Sequence, residues 1–306
     1  MQSIVIGGQG FLGQAIVREL QARGGGIRVV DFAPPPEYSP VPYTQADIRS
    51  HEDIRDAIGG ADEVYHIAGV LGTSELNGAI GDAIDVNIGG TVNVFRACCE
   101  LGIRRVFYPA KPNCWLNTYT VTKQAAEQFA ELFNVEHDME IVRLRWFNAF
   151  GPGQHTHPVR KQIPTWCLCA RFGLPIPVFG NGHNCVDLIH SSDVARWTVE
   201  ATRAGLTDEV YDLGRGEPLS VLYVAEGLNF IAGSSAGVSY HPMRPGETEP
   251  TEIVADIAPL RAALDAKGSS LGFAGLADTL AETYRWYRDM PEQQARAAMV
   301  YHGLMS

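Results

Sequence analysis

Tyr119 and Lys123 stand four residues apart in the run Tyr119-Thr120-Val121-Thr122-Lys123. On a helix that spacing puts both side chains on one face. A lysine ammonium beside a phenol favours the phenolate. A group that ordinarily titrates near pKa ~10 can thereby move toward neutrality and serve as a general acid and base. An ordinary amphipathic helix produces the same pair, so its weight comes from what stands around it.

The start of the chain supplies that context. The apolar run Ile4-Val5-Ile6 ends in Gly7, Gly10 and Gly13, and Ala15, Ile16, Val17 and Leu20 follow at helical spacing. This reads as strand, tight turn, helix. A helix N-terminus carries unpaired N–H groups and a partial positive charge, which suits a pyrophosphate. Gly7 makes the turn, Gly10 lets phosphates approach the backbone, and Gly13 lets the helix lie close on the strand. The next strand, Arg28-Val29-Val30-Asp31, ends in an acid eighteen residues after Gly13. A carboxylate there accepts hydrogen bonds from the adenosine ribose hydroxyls and repels a 2′-phosphate. No arginine follows it, so the pattern favours NAD over NADP. The lysine then gains a second task, holding the nicotinamide ribose.

The elements that must position these groups alternate. Thr44–Arg49 follows a proline-rich loop, and 51–58 reads as a short helix. Glu63–Gly69 is a strand ending in small residues, across which a cofactor can lie. Residues 79–101 show Ile80, Ile84, Ile88, Val92 and Phe95 at spacings of three to four and read as one helix, with Gly89-Gly90 inside it. Arg105–Tyr108 is a strand, Thr118–Phe133 a helix and Glu140–Phe147 a strand. The expected fold is α/β, a Rossmann-type doubly wound parallel sheet over residues 1–150 with helices on both faces. Its ligand sits at the carboxyl ends of the strands. From Gly151 prolines and glycines multiply, and a helix at 160–172 and a strand at 177–179 begin a smaller region. Residues 187–214 are expected to return to the main sheet. Residues 151–186 and 215–306 then form the substrate-binding region, and a cleft between lobes is a common ligand site.

Composition narrows the classes. Of 306 residues 45% are hydrophobic, enough for a sizeable core, and the net charge is −11. With no basic run, nucleic-acid binding is disfavoured, and an anionic ligand needs individual arginines. Cys98, Cys99, Cys114, Cys167, Cys169 and Cys185 form no metal-type C-x-x-C pair and have apolar neighbours, as expected of free thiols in a reducing cytosol. No metal site is expected. The first strand begins at residue 3, leaving no room for a signal peptide, and no apolar run reaches membrane length. The expected compartment is the cytoplasm.

The chain resembles the extended short-chain dehydrogenase/reductases, in the NAD-dependent epimerase/dehydratase group that acts on nucleotide sugars. Gly7-x-x-Gly10-x-x-Gly13, Asp31, Asp47-Ile48-Arg49, His66-Ile67-Ala68-Gly69, Asn87-x-x-Gly90-Thr91-x-Asn93 and Tyr119-x-x-x-Lys123 carry the resemblance. So do the run Arg145–Gly153 and Arg244-Pro245-Gly246-Glu247. It implies that Gly7, Gly10, Phe11 and Leu12 hold the pyrophosphate, Asp31 the ribose, and Asp47 and Ile48 the adenine. Ile67, Ala68, Gly69 and Asn87 line the rest of the cofactor, with Phe147 near the nicotinamide. Tyr119 is the implied acid/base and Lys123 its partner. Asn148 and Arg244 are implied on the diphosphate side, where a guanidinium can clamp phosphate with two parallel bonds. Relatives of this kind often dimerise through two helices, here 79–101 and 118–133.

Two departures stand out. Where the family usually has serines or a threonine before the Tyr/Lys helix, this chain runs Pro109-Ala110-Lys111-Pro112-Asn113-Cys114, with Lys111 at the hydroxyl's place. Lys111 or Asn113 can donate the missing hydrogen bond, or Thr73 or Ser74 can reach in from the facing loop. In Cys185-Val186-Asp187 the arginine that often precedes the aspartate is gone, leaving Arg160, Lys161 or Arg244 to neutralise the ligand. A 4,6-dehydratase of this family adds an Asp-Glu pair after the strand at 105–108, and Pro109 to Thr118 contains no acid. The expectation is an epimerase acting on a nucleoside-diphosphate sugar. The alternatives are a dehydrogenase, reductase or dehydratase on such a sugar, or a non-catalytic NAD-binding sensor.

Overall fold

The computed structural model describes residues 1–73, 75–112, 115–243 and 252–305. They form two compact units. The first comprises Met1–Trp146, Ser192–Leu213 and Asp256–Leu271, the second Phe147–Ser191, Gly214–Ala255 and Gly272–Ser306.

The first unit is built on β1 (Gln2–Ile6), β2 (Gly26–Asp31), β3 (Tyr43–Gln45), β4 (Glu63–His66), β5 (Arg105–Ala110) and β6 (Glu140–Trp146). The short β7 (Asn148–Phe150), β8 (Ile176–Phe179), β9 (Cys185–Val186) and β10 (Leu188–His190) belong to the second unit, and β11 (Val210–Leu213) returns to the first. The described sheet runs β11-β6-β5-β4-β1-β2-β3, every neighbouring pair parallel. Strand order reverses at β1, which has β2 on one side and β4 on the other, and that reversal opens a crevice at the carboxyl ends.

Alternation of side chains explains the two covered faces. Ile4, Ile6, Val30, Val64, Val106, Tyr108 and Ile141 point to one core, under α2 (His51–Ile58), α4 (Thr91–Glu100) and α5 (Thr118–His137). Their neighbours Val5, Val29, Tyr65, Phe107 and Val142 are buried on the opposite side. There α1 (Phe11–Arg23) packs on β1 and β2, and Trp146 donates to Thr198 of α7 (Ser191–Ala204) at 3.1 Å.

The expected helix at 79–101 is three pieces, α3 (Ile80–Ile84), a π-helical turn Asp85–Gly90 and α4, preceded by a 3₁₀ turn at Glu75–Gly78. The π turn aims Asn87 inward, and a Cβ on Gly90 would stand 2.5 Å from the Ile48 side chain. The backbone thus departs from α geometry where a side chain is needed and a close contact must be spared.

Two boundaries differ from the sequence reading. Val210–Leu213 pairs with β6, but Leu188–His190 pairs with β7, inside the second unit. Residues 256–271 pack with the first unit, where Leu260 and Leu264 of α9 (Ala258–Ala266) are buried and α9 lies on β11. Both are long-range pairings that local patterning does not specify.

The second unit also holds α6 (Gln162–Arg171), β12 (Leu219–Ser220), α8 (Val221–Ala232), β13 (Val238–His241), β14 (Glu252–Ile253), α10 (Leu276–Arg288) and α11 (Glu292–Tyr301). Its core gathers Trp166, Leu168, Leu228, Tyr284, Tyr287 and Met299. β9 joins antiparallel β12 to parallel β14, and β8 pairs with β13. Asp187, fully buried, accepts backbone N–H bonds from Arg215, Gly216 and Ala255 at 2.8–3.2 Å. No described helix is long and apolar enough to cross a membrane.

Candidate dinucleotide and catalytic site

The glycine loop separates into residues the fold needs and a residue a ligand needs. Gly7 has φ +85°, and a Cβ there would meet the Ala68 nitrogen at 2.6 Å. A Cβ on Gly13 would meet the Gly7 carbonyl at 2.1 Å. Gly10 differs: its Cβ would touch only the Gly7 carbonyl, at 3.3 Å. The missing side chain at Gly10 therefore leaves open a cradle at the helix mouth. Gly10 caps α1 with no side-chain hydrogen bond, and no acid stands in the first turn, which Phe11 and Leu12 open half-buried. The helix N-terminus keeps its donors and its positive field for an anion.

Asp31, at the end of β2, is 8% exposed. Its Oδ2 accepts the Gln9 N–H at 3.0 Å and its Oδ1 the Ala33 N–H at 3.2 Å. The carboxylate is thus fixed beside the glycine loop. Burial and the Asp31 charge raise the pKa of the neighbouring Tyr43 phenol. The segment after β4 closes the third side. Ile67 and Ala68 both donate to the Ile6 carbonyl, at 2.8 and 2.9 Å, and Gly69 is exposed. Gly7, Gly10, Asp31, Ile67, Ala68 and Gly69 therefore meet at the carboxyl ends of β1, β2 and β4. Their donors, open cradle and ribose-side carboxylate fit the diphosphate and adenosine of NAD.

Asp47 and Ile48 lie just after β3. Arg49 Nε reaches Asp47 Oδ2 at 2.9 Å, and that hydrogen bond holds the carboxyl below the usual carboxylate range. The Ile48 side chain is buried in the core, with its carbonyl taken by Asn93 at 3.0 Å. Asn87, read as a cofactor contact, spends both amide hydrogens inside the protein. Nδ2 donates to the Val70 carbonyl at 3.0 Å and to Thr122 Oγ1 at 3.1 Å, while Oδ1 accepts the Val70 N–H at 2.9 Å. It is a strut between the post-β4 segment and α5.

α5 begins where the sequence places it, because Asn117 caps it by accepting the Thr120 N–H at 2.9 Å. Its first turns present Tyr119 and Lys123. Lys123 is 8% exposed, and its Nζ lies 4.0 Å from the centre of the Tyr108 ring. Lys111 Nζ lies 5.8 Å from the centre of the Tyr119 ring and donates to the Pro112 carbonyl at 2.8 Å. The lysine in the hydroxyl's place is therefore beside the phenol. Burial, rather than the neighbouring ammonium, sets the acidity of the pair. It pushes the Tyr119 phenol up to about 12 and the Lys123 ammonium down to about 7, with Glu127 opposing the second shift. The expected movement of the phenol toward neutrality is thus overturned for the chain on its own, since desolvation penalises both charged forms.

Sequence reasoning assigned no role to Tyr108, His66 or Glu127. His66 is fully buried, with Nε2 3.0 Å from Thr91 Oγ1 and its ring 6.0 Å from that of Tyr108. The signal for Glu127 was present as a second four-residue step from Lys123. Among the remaining expected residues, Thr73 is a half-buried turn residue after β4. Ser74, Asn113 and Arg244 lie outside the described residues. In the second unit Phe147 is half-buried, Asn148 Nδ2 donates to the Asp187 carbonyl at 3.3 Å, and the Arg160 guanidinium donates to the His302 carbonyl.

Known proteins share this fold. The chain is 26% identical to a dTDP-glucose 4,6-dehydratase of Streptomyces niveus, over 94% of this chain and 93% of that one. An epimerase of Methanothermobacter thermautotrophicus superposes with a TM-score of 0.87 at 24% identity, over 97% of this chain and 94% of that one. The UDP-glucose 4-epimerase of Thermus thermophilus, solved with NAD, gives 0.82 at 23% identity, over 95% of this chain and all of that one. The model of the NAD dependent epimerase/dehydratase family matches residues 3–214. With the glycine loop, Asp31 and the Tyr119/Lys123 helix assembled on one parallel sheet, the chain belongs to the NAD-dependent epimerase/dehydratase family.

Proposed function

We propose that the protein is an epimerase of a nucleoside-diphosphate sugar. Bound NAD supplies a reversible hydride acceptor. Gly7, Gly10, Phe11, Leu12 and Asp31 hold its phosphates and ribose, and Lys123 the nicotinamide ribose. Tyr119 takes the proton of the reacting hydroxyl and returns it when the sugar is reduced on its other face. Lys111, beside the Tyr119 ring, donates the hydrogen bond that a hydroxyl gives in relatives, with Asn113, Thr73 or Ser74 as further donors. Asn148, Arg160 and Arg244 hold the substrate. The substrate class rests on the neighbours, several of which are UDP-glucose or UDP-N-acetylglucosamine epimerases. The protein acts as a homodimer in the cytoplasm.

The observation that carries epimerisation over dehydration is the loop from Pro109 to Thr118, which has no carboxylate. Eliminating water from a keto sugar takes an acid and a base beside the ring, and this loop supplies no carboxylate for either role. The dehydratase reading keeps the support of the Streptomyces niveus relative. Mass-resolved chromatography of the protein incubated with NAD and a panel of nucleoside-diphosphate sugars decides between them. An isomer of unchanged mass is expected. Loss of water would establish the dehydratase, a two-hydrogen change the dehydrogenase, and no turnover across the panel would overturn the enzyme reading in favour of a binding protein.

A further inference from the structure

The geometry points to Glu127, clamped by Arg145, as the positioning residue that favours the charged form of Lys123 inside a buried site. The inference rests on reading Lys123 as the partner of Tyr119.

Lys123 and Glu127 are one helical turn apart on α5, and the Glu127 side chain is only 15% exposed. Arg145, on β6, reaches Glu127 Oε1 with one guanidinium nitrogen at 3.3 Å and Asp212 Oδ1, on β11, with another at 3.6 Å. Asp212 Oδ2 in turn accepts the Asp256 N–H at 3.2 Å. Four charges therefore alternate in sign from α5 across β6 to β11, and the outermost is tied to the segment that leads into α9. This gives a chemical reason for β11 and residues 256–271 to pack with the first unit.

The row matters because of where Lys123 sits. Its Nζ lies over the Tyr108 ring, away from bulk water. Among the described residues the other titratable groups near it are His66 on β4 and Tyr108 on β5, with Tyr119 one turn before it on its own helix. Burial and the Lys123 charge hold His66 well below its ordinary value, so it stays neutral. Both phenols are pushed up, so they stay neutral as well. Lys111 adds positive charge near Tyr119. Among the described residues Glu127 is left as the carboxylate that favours the ammonium, and its charge is felt by both Lys123 and Tyr108. Arg145 fixes that carboxylate so that it does not swing to solvent.

The test reads the lysine directly and needs no substrate. Full-length protein labelled at the lysine ε-carbons is titrated by NMR, with the Lys123 resonance identified by its loss in Lys123→Met. In Glu127→Gln the Lys123 midpoint is expected to fall by at least about one pH unit, a tenfold loss in proton affinity. Glu131→Gln, one turn further on and paired with Arg143 at 3.5 Å, leaves it in place. Glu127→Asp, with the charge one methylene short, gives a smaller fall and serves if the glutamine variant does not fold. An unmoved midpoint in Glu127→Gln, or in Glu127→Asp where only that variant folds, overturns the assignment. A sugar panel without turnover would overturn the epimerase reading and leave this result standing.

Discussion

Tyr119 and Lys123 were legible as a pair from spacing alone, but their titration was not. A sequence shows that an ammonium stands near a phenol. It does not show how much water either keeps. Burial opposes both charged forms, and Lys123 is left near 7, where a small change of environment alters its charge. Two outcomes follow at this scale. Tyr119→Phe removes the acid/base group while keeping the ring, so turnover should fall by ~10²–10⁴ with NAD affinity unchanged, measured by steady-state kinetics beside calorimetric titration. Lys123→Met should change how stability depends on pH. Between about 7 and the ordinary lysine value near ~10.4 the unfolded chain binds the proton that the folded chain has lost. Wild-type stability therefore gains from this group as pH rises through that window, by up to ~1.4 kcal/mol per pH unit, and loses the gain as pH falls toward 7. Denaturant midpoints of NAD-free wild type and Lys123→Met should diverge across pH 7–10 and run parallel below pH 6.

Elements carry the second level of specification. The strand–turn–helix from β1 to α1 was fully legible, because its apolar run, glycines and helical spacing all lie within one short stretch of sequence. Here the structure adds a separation that the motif hides. Gly7→Ala meets backbone at 2.6 Å in a left-handed conformation and should destabilise the fold by ~1–3 kcal/mol. Gly10→Ala meets only a carbonyl at 3.3 Å, so its melting temperature should stay within a few degrees of wild type while the Kd for NAD rises at least ~10-fold. Thermal melts beside NAD titrations of the two variants would show whether loss of binding tracks loss of fold. The helix at 79–101 was legible as apolar periodicity but not as a π turn. Periodicity reports which face is buried. It does not report that Asn87 must reach both Val70 and Thr122, a demand set by segments seventeen and thirty-five residues away.

At the scale of the whole molecule, alternating strands and helices identified the parallel sheet, while the crossing of the chain between units was only half legible. The return of β11 could be guessed from its apolar pattern. The return of 256–271 depends on the Asp212–Asp256 bond and on Leu260 and Leu264, which no local signal links to β11. The surface of the first unit supports one further step. On α5, Val121, Phe129, Leu132 and Val135 are 48%, 36%, 42% and 79% exposed and form one helical stripe, and Ile80 and Ile84 of the preceding segment are exposed as well. Contiguous apolar area of this kind on a helix face costs solvation unless another surface covers it. A second copy of the same stripe, related by a two-fold axis, covers both at once and makes the contact self-complementary. Light scattering on a sizing column should then give a mass of two chains for the wild type. Leu132→Glu combined with Val135→Glu places two charges in that contact without touching the core, so it should give one chain with its fold intact by circular dichroism. A wild type that elutes as a single chain at micromolar concentration would show that the stripe has no partner in its own kind.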